Sequence, residues 1–310
     1  MKYLFVAFFC FMGLVAHCQN VCEFFKIPMA QLYASLGGIN VSSLCNSPLD
    51  VDFNPAIIVE SPKYDVSASY TCFRGHINMC SAGYCRCENP LWGYAFTIKN
   101  IGYGQMDGYN QDGEFEKKFS AQDLAMGGCV SRKLFDNLYS GVSVNLIYSK
   151  NDDLSAIGLA FSAGLLYYKG GFSAGVSCYG MGVLFKKYIS GNDEKLPVTV
   201  QIGVSKELEH APMRFSLTYV DIQKWYVAGD GDVGFGELLV DHLIVSTELF
   251  HDKPFSLQFG FNFLRHNELK LSGASAFPGG SMGFSVNLKK FSLGYSHYFM
   301  ANGVELRFKI

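Results

Sequence analysis

Strict alternation of apolar and small polar residues, repeated along most of the chain, constrains the fold more than any other feature. "FSLQFGFNF" puts Phe255, Leu257, Phe259, Phe261 and Phe263 on one side and Ser256, Gln258, Gly260 and Asn262 on the other. "YDVSASYTC" separates Tyr64, Val66, Ala68, Tyr70 and Cys72 from Asp65, Ser67, Ser69 and Thr71. "VTVQIGVS" separates Val198, Val200, Ile202 and Val204 from Thr199, Gln201, Gly203 and Ser205. "WGYAFTIK", "VSVNLIYS", "FSLGYSHYF" and "VELRFKI" repeat the scheme. A period of two belongs to strands with two unlike faces.

About fourteen such segments follow one another: 64–73, 76–86, 91–103, 121–134, 138–150, 155–168, 171–184, 197–208, 213–222, 238–250, 254–266, 279–288, 291–299 and 303–310. The polar faces are made of Ser, Gly, Thr and Asn rather than the Lys and Glu expected against bulk water. Charged residues are 17% of the chain, aromatics 15%, and there are 33 glycines. Connections alternate between tight turns and longer gaps at 104–120, 185–196, 223–237 and 267–278. Short turns on one side and long loops on the other are the pattern of an outer-membrane barrel. The predicted fold class is all-β, a closed antiparallel transmembrane barrel of about 14 strands, since lipid forbids an open sheet edge. After residue 18 no stretch of eighteen apolar residues offers a spanning helix. The net charge of −2 argues against a nucleic-acid partner.

Residues 1–18 read as an export signal: Lys2, an apolar run, and "AHC" with cleavage expected after Cys18. Residues 61–310 form the predicted barrel. Residues 19–60 show no strand alternation. A fourteen-stranded cylinder is wider than the eight-stranded size that side chains alone fill, so this segment is predicted to fold back as a plug. Gly37 and Gly38 permit a sharp bend there, and Pro55 drives Asn54 away from helix.

The stretch "FFKIPMAQLYASLGG…DVDFNPAII" resembles the N-terminal plug of fatty-acid-transporter-like (FadL-like) barrels, carried by Leu36, Gly37, Gly38 and by Asn54, Pro55, Ala56. More narrowly the chain resembles the PorV/PorQ family of type IX secretion outer-membrane proteins, nearest PorQ, through that motif, "FSAGLLYY", "CYGMGVLFKKY" and the terminal strand. It departs from the pattern at Ile57 and Ile58, where Gly-Leu is usual, and at Ala163, where shuttle members carry Asp. The resemblance implies a non-catalytic barrel in the bacterial outer membrane, anchoring a surface component of the attachment complex. Its implied partners are a PorZ-like surface protein, the PorU sortase and the PorV shuttle. The alternative is a FadL-like channel for uptake of a hydrophobic compound, with the apolar stretch 155–184 lining its pocket.

Tyr109, Trp225 and Tyr226, in the long loops, are the predicted docking anchors. The predominance of Ser, Gly, Thr and Asn on the inward faces favours the anchoring role over the channel. No catalytic motif, cofactor cradle or metal site emerges. Cys80, Cys85 and Cys87 lack paired C-x2-C spacing, and the histidines are scattered. The acidic stretches 104–116 and 228–237 lack the order of a calcium loop. Eight cysteines remain beyond the signal, an even number that permits disulfides in an oxidising compartment without requiring them.

Overall fold

The computed structural model describes residues 19–44, 47–60, 64–89, 91–189, 194–223, 235–268 and 278–309. Fourteen strands close into one antiparallel barrel. In chain order they are β1 (Tyr64–Cys72), β2 (Asn78–Asn89), β3 (Trp92–Tyr109), β4 (Phe115–Phe135), β5 (Leu138–Asn151), β6 (Leu154–Lys169) and β7 (Phe172–Lys186). They continue with β8 (Thr199–Glu207), β9 (Met213–Tyr219), β10 (Leu243–Leu249), β11 (Phe255–Asn262), β12 (Gly280–Asn287), β13 (Phe291–Tyr298) and β14 (Ala301–Lys309). Each strand pairs with its sequence neighbours. The seam is made by β14 against β1, in register from Asn302 opposite Cys72 to Lys309 opposite Asp65.

The two-residue alternation sorts as the sequence requires. On β1, Asp65, Ser67, Ser69 and Thr71 point inward and are buried, while Val66, Ala68, Tyr70 and Cys72 face out. Exposed apolar side chains run around the outer wall, among them Phe96, Val144, Leu165, Ile202, Leu217, Phe259 and Leu306. Hydrocarbon is the solvent that accepts such a wall. The short turns 136–137 and 170–171 lie at the end that holds the chain terminus, which is the periplasmic end.

Three regions differ from the sequence expectation. The gap predicted at 104–120 shrinks to 110–114, because β3 and β4 run on as a ladder from Gln105 opposite Ser120 to Tyr109 opposite Phe115. Most residues of that part are exposed on both faces, and the strict apolar–polar alternation read from sequence is absent there. The segment expected as strand at 238–250 begins with helix α2 (Phe235–Asp241). The one expected at 254–266 ends at Asn262, whose side-chain oxygen accepts the Arg265 N–H at 3.1 Å. This cap turns the chain into helix α3 (Phe263–Glu268). The barrel is therefore lopsided, with 21 residues in β4 and 7 in β9.

The described residues of 21–44 and 47–58 lie inside the cylinder. Their helix α1 (Gln31–Ser35) packs on β11–β14, and two 3-10 turns, Pro48–Asp52 and Pro55–Glu60, pack on β1–β6. At the start, Gln19–Asn20 pairs in parallel with Glu194–Lys195. The core consists of this segment's apolar side chains, including Phe24, Phe25, Tyr33, Phe53 and Ile57, against inward groups of the wall.

Placing a cation on the outer wall tests this architecture. Phe259→Arg, near the middle of β11, is expected to cost about 2–4 kcal/mol. Urea titration of the folded band on unheated gels measures it, and a loss under about 0.5 kcal/mol would contradict lipid contact at this position.

Candidate functional site

The inner wall is small because a chain lies against it. A Cβ on Gly141 would strike the backbone of Pro55 and Ala56, one on Gly175 the Val41 carbonyl, and one on Gly260 the backbone of Leu36 and Gly37. Serines fill the spaces between as donors to the inner chain. Ser69 donates to the Met29 carbonyl at 2.8 Å, Ser173 to Ser42 at 2.6 Å, Ser131 to Ala56 at 2.9 Å and Ser281 to Ser35 at 2.9 Å. The Ser- and Gly-rich inner faces therefore give no support for an anchor over a channel. They are the complement of the inserted segment.

The sequence-predicted residues 36–38 and 54–56 both belong to that packing. Leu36 is fully buried at the end of α1. Gly37 and Gly38 have φ of +94° and +104°, a region that residues with a Cβ avoid. Gly38 N–H donates to the Tyr33 carbonyl at 2.8 Å, closing the helix. Added Cβ atoms would come 2.5 Å from Ile244 Cγ2 at Gly37 and 2.5 Å from the Tyr298 hydroxyl at Gly38. Asn54 acts as a clasp: its Nδ2 donates to the Val41 carbonyl at 2.7 Å and to Leu165 at 3.3 Å, and its Oδ1 accepts Ala56 N–H at 3.1 Å. Pro55 packs against Gly141 and Gly164 of the wall.

Polar ties that the sequence did not reveal hold the segment deeper in. Lys99 of β3 is 1% exposed. Its ammonium donates to the carbonyls of Phe25 at 3.1 Å and Ile27 at 2.6 Å, and to Asp52 Oδ2 at 3.0 Å. Tyr179 of β7 stacks on Phe25 at 4.5 Å, donates to the Phe25 carbonyl at 2.5 Å, and lies 3.2 Å from Asp52 Oδ1. Burial pushes the Asp52 carboxyl above its ordinary range, and Lys99 draws it back down. On the opposite wall Gln31 is held three times: its N–H by Glu305 at 2.8 Å, its Nε2 by Thr71 at 2.9 Å and its Oε1 by Ser296 at 2.6 Å. A lone lysine on the small polar face of "WGYAFTIKN" is the one available sequence signal, since an unpaired charge inside a spanning cylinder has to find a partner.

At the outer mouth a cavity of about 190 Å³ lies between this segment and the wall. Phe73 and Ile77 from the first outer loop, Ile101 and Tyr103 from β3, and Tyr298 and Phe299 at the end of β13 supply an apolar lining. Lys26, Ile27 and Pro28 of the inner segment close its inner side. Arg265 of α3 lies over Phe299 at 5.0 Å. The stretch 155–184, expected to line a pocket, instead packs Ala160, Leu166 and Tyr179 against the inner segment.

Tyr109 is exposed at the tip of the β3–β4 hairpin, edge-on to Phe115 at 6.3 Å. Trp225 and Tyr226 lie outside the described residues. Asn110 Oδ1 organises the turn by accepting from Asp112 and Glu114 N–H groups, while Lys118 lies 3.9 Å from Asp107. Among the described residues no cluster of His, Cys, Asp or Glu is arranged to hold a metal. The described cysteines are all free thiols. Cys22 is pushed up to about 12, by burial first and by the nearby Asp123 and Glu194 carboxylates after it.

These features define a bacterial outer-membrane β-barrel whose lumen is occupied by its own N-terminal segment. Solved barrels of similar shape are known. The toluene transporter TodX of Pseudomonas putida aligns over 94% of this chain and 97% of its own, with a TM-score of 0.59 and 11% identity. A mutant of the TodX monoaromatic hydrocarbon channel aligns over 91% and 97%, with a TM-score of 0.57 and 10% identity. A FadL homologue of Pseudomonas aeruginosa aligns over 92% and 98%, with a TM-score of 0.51 and 9% identity. The likeness establishes the fold, a closed outer-membrane β-barrel. No protein-family model matches the chain, and no curated protein matches it.

The Lys99–Asp52 tie carries a quantitative expectation. Lys99→Met leaves a buried carboxylate without its cation, with only the Tyr179 hydroxyl beside it, and should cost about 3–5 kcal/mol, whereas Lys99→Met with Asp52→Leu should regain most of it. Alkylation of Cys22 at pH 8 reads the outcome, because a seated thiol held near 12 reacts slowly and a released one quickly. Equal reaction rates in the parent and Lys99→Met proteins would show that this tie does not seat the segment.

Proposed function

We propose that the protein is a non-enzymatic outer-membrane channel for a small hydrophobic compound. The compound is collected at the outer mouth and passes when the lumenal plug, residues 19–60, shifts. The observation that carries this reading is the apolar cavity whose inner side is the plug itself. Occupancy there bears directly on Ile27 and Pro28, and through Ile27 on Lys99. An apolar cavity of about 150 Å³ holds benzene, so about 190 Å³ suits a single-ring or comparably small guest. The barrel fold, shared with a toluene transporter and a monoaromatic hydrocarbon channel, supports the same reading.

The test is uptake of radiolabelled toluene into cells or vesicles carrying the barrel. Ile77→Arg, which adds a further cation to a lining that already holds Lys26 and Arg265, should reduce uptake about ten-fold or more, since an apolar guest would then displace the water around that charge, at a cost well over the 1.4 kcal/mol that ten-fold represents. Uptake no greater than in barrel-free controls, with benzene-ring, alkane and terpene probes alike, would defeat the proposal.

A second reading rests on a different observation, the exposed aromatic pair Tyr109 and Phe115 at the hairpin tip. In it the barrel is a non-catalytic anchor of the type IX secretion system, holding a PorZ-like surface protein near the PorU sortase and the PorV shuttle. Tyr109→Ala with Phe115→Ala should then release the surface protein from affinity-purified outer membranes. Recovery of none of these proteins with the parent barrel would remove this reading and leave the channel untouched.

A further inference from the structure

The outer wall of β1–β4 combines two features at its periplasmic end. The first is a pair of arginines set among aromatic rings. Arg86 stands between Tyr64 on β1 and Tyr94 on β3 in the strand register, and its guanidinium lies 5.5 Å from the Tyr64 ring. Arg132 stands opposite Trp92, 4.8 Å above its ring. The two arginines are two strands apart, about 9.6 Å, and offset by two residues along the strands, about 6.7 Å, so their backbones stand about 12 Å apart, a span their long side chains can close from either side. A guanidinium laid on a ring keeps its N–H donors in its own plane, directed past the ring edge, which suits a phosphate oxygen.

The second feature is a groove on the same strands, one step deeper into the membrane. It has a volume of about 590 Å³, with Val66, Tyr84, Phe96, Ile98 and Met126 as its sides. Gly128 forms part of its floor, where an added Cβ would meet nothing closer than Phe96 at 3.8 Å. Tyr84 is two residues along β2 from Arg86, and Phe96 two residues along β3 from Tyr94. Groove and arginines are thus continuous, with positive charge at the headgroup level and an apolar trough below.

We propose that this wall is a binding site for an anionic phospholipid of the inner leaflet, its headgroup held by Arg86 and Arg132 and one acyl chain laid in the groove. The connections beside the arginines, from β2 to β3 and from β4 to β5, are short ones at the end where β14 finishes. That end faces the periplasm, where the adjoining leaflet is phospholipid. Each cation at a membrane surface contributes about 1 kcal/mol toward an anionic lipid, so the pair makes the site selective for net negative charge rather than for phosphate alone. The inference is independent of what passes through the lumen.

The chain has two tryptophans, so Trp225→Phe leaves Trp92 as a reporter inside the proposed site. This protein is placed in phosphatidylcholine bilayers, and growing fractions of lipid brominated near the headgroup are introduced. Brominated phosphatidylglycerol should half-quench Trp92 at a mole fraction at least about five-fold lower than brominated phosphatidylcholine. Arg86→Gln with Arg132→Gln should bring the two curves together. Gly128→Leu fills the trough and should weaken the phosphatidylglycerol response, with folding confirmed by gel mobility before heating. Equal quenching by the two lipids in the Trp225→Phe protein would mean that the wall meets bulk lipid only, and the proposal would be wrong. A preference that survives loss of both arginines would overturn it equally. Should the double variant not fold, the lipid comparison in the Trp225→Phe protein and the Gly128→Leu variant still decide.

Discussion

A strand in hydrocarbon has no water to satisfy its backbone, so every amide must find a partner on a neighbouring strand. Closure of the sheet is the constraint on which the rest of this structure depends. The β14–β1 seam meets it, with inward Arg307 and Asp65 paired beside the ladder. Once the sheet is closed at fourteen strands the interior is too wide for side chains alone, and what fills it becomes part of the fold. Here the filling is continuous chain. Its own polar backbone groups have to be satisfied in turn, and the serines of the wall, Asn54 and Lys99 do so.

Closure also explains the division of labour between residue types. Glycine inside gives the backbone of the inner segment room to touch the backbone of the wall, as at Gly141 and Pro55. Serine supplies a donor in nearly the same volume. Phenylalanine, leucine and valine outside meet lipid. One arrangement of the interior accordingly joins stability to passage. The segment that completes the core also forms the inner side of the mouth cavity, so a guest and the Lys99–Asp52 tie act on the same few residues, Phe25 to Pro28.

Much of this was legible in the sequence. Each of the fourteen strands overlaps a segment that alternation marked, because a strand with lipid on one side and protein on the other has to alternate. Gly37 and Gly38 stood out as places for a sharp bend, and both take the positive φ that favours glycine. Alternation was silent where its cause was absent. The outer parts of β3 and β4 are largely exposed on both faces, and they read as loop. Asn262 looked like one more inward residue of a strand, but it caps a helix. In the sequence the inward serines and glycines favoured an anchor over a channel, because a face that meets chain and a face that meets water select similar small residues.

The sequence by itself determined the strands, their inner and outer faces, their number and the membrane as their solvent, because these follow from nearest neighbours along one chain and from the medium each face meets. Only the tertiary structure decided which residues of residues 19–58 touch which part of the wall. Lys99 and Asp52 are separated by 47 positions, and Phe73, Ile101, Arg265 and Phe299 of the mouth cavity come from distant strands and loops. Such meetings depend on how a folded-back segment rotates and slides within a closed cylinder. Packing volume and buried hydrogen bonds settle that, and no local pattern records it.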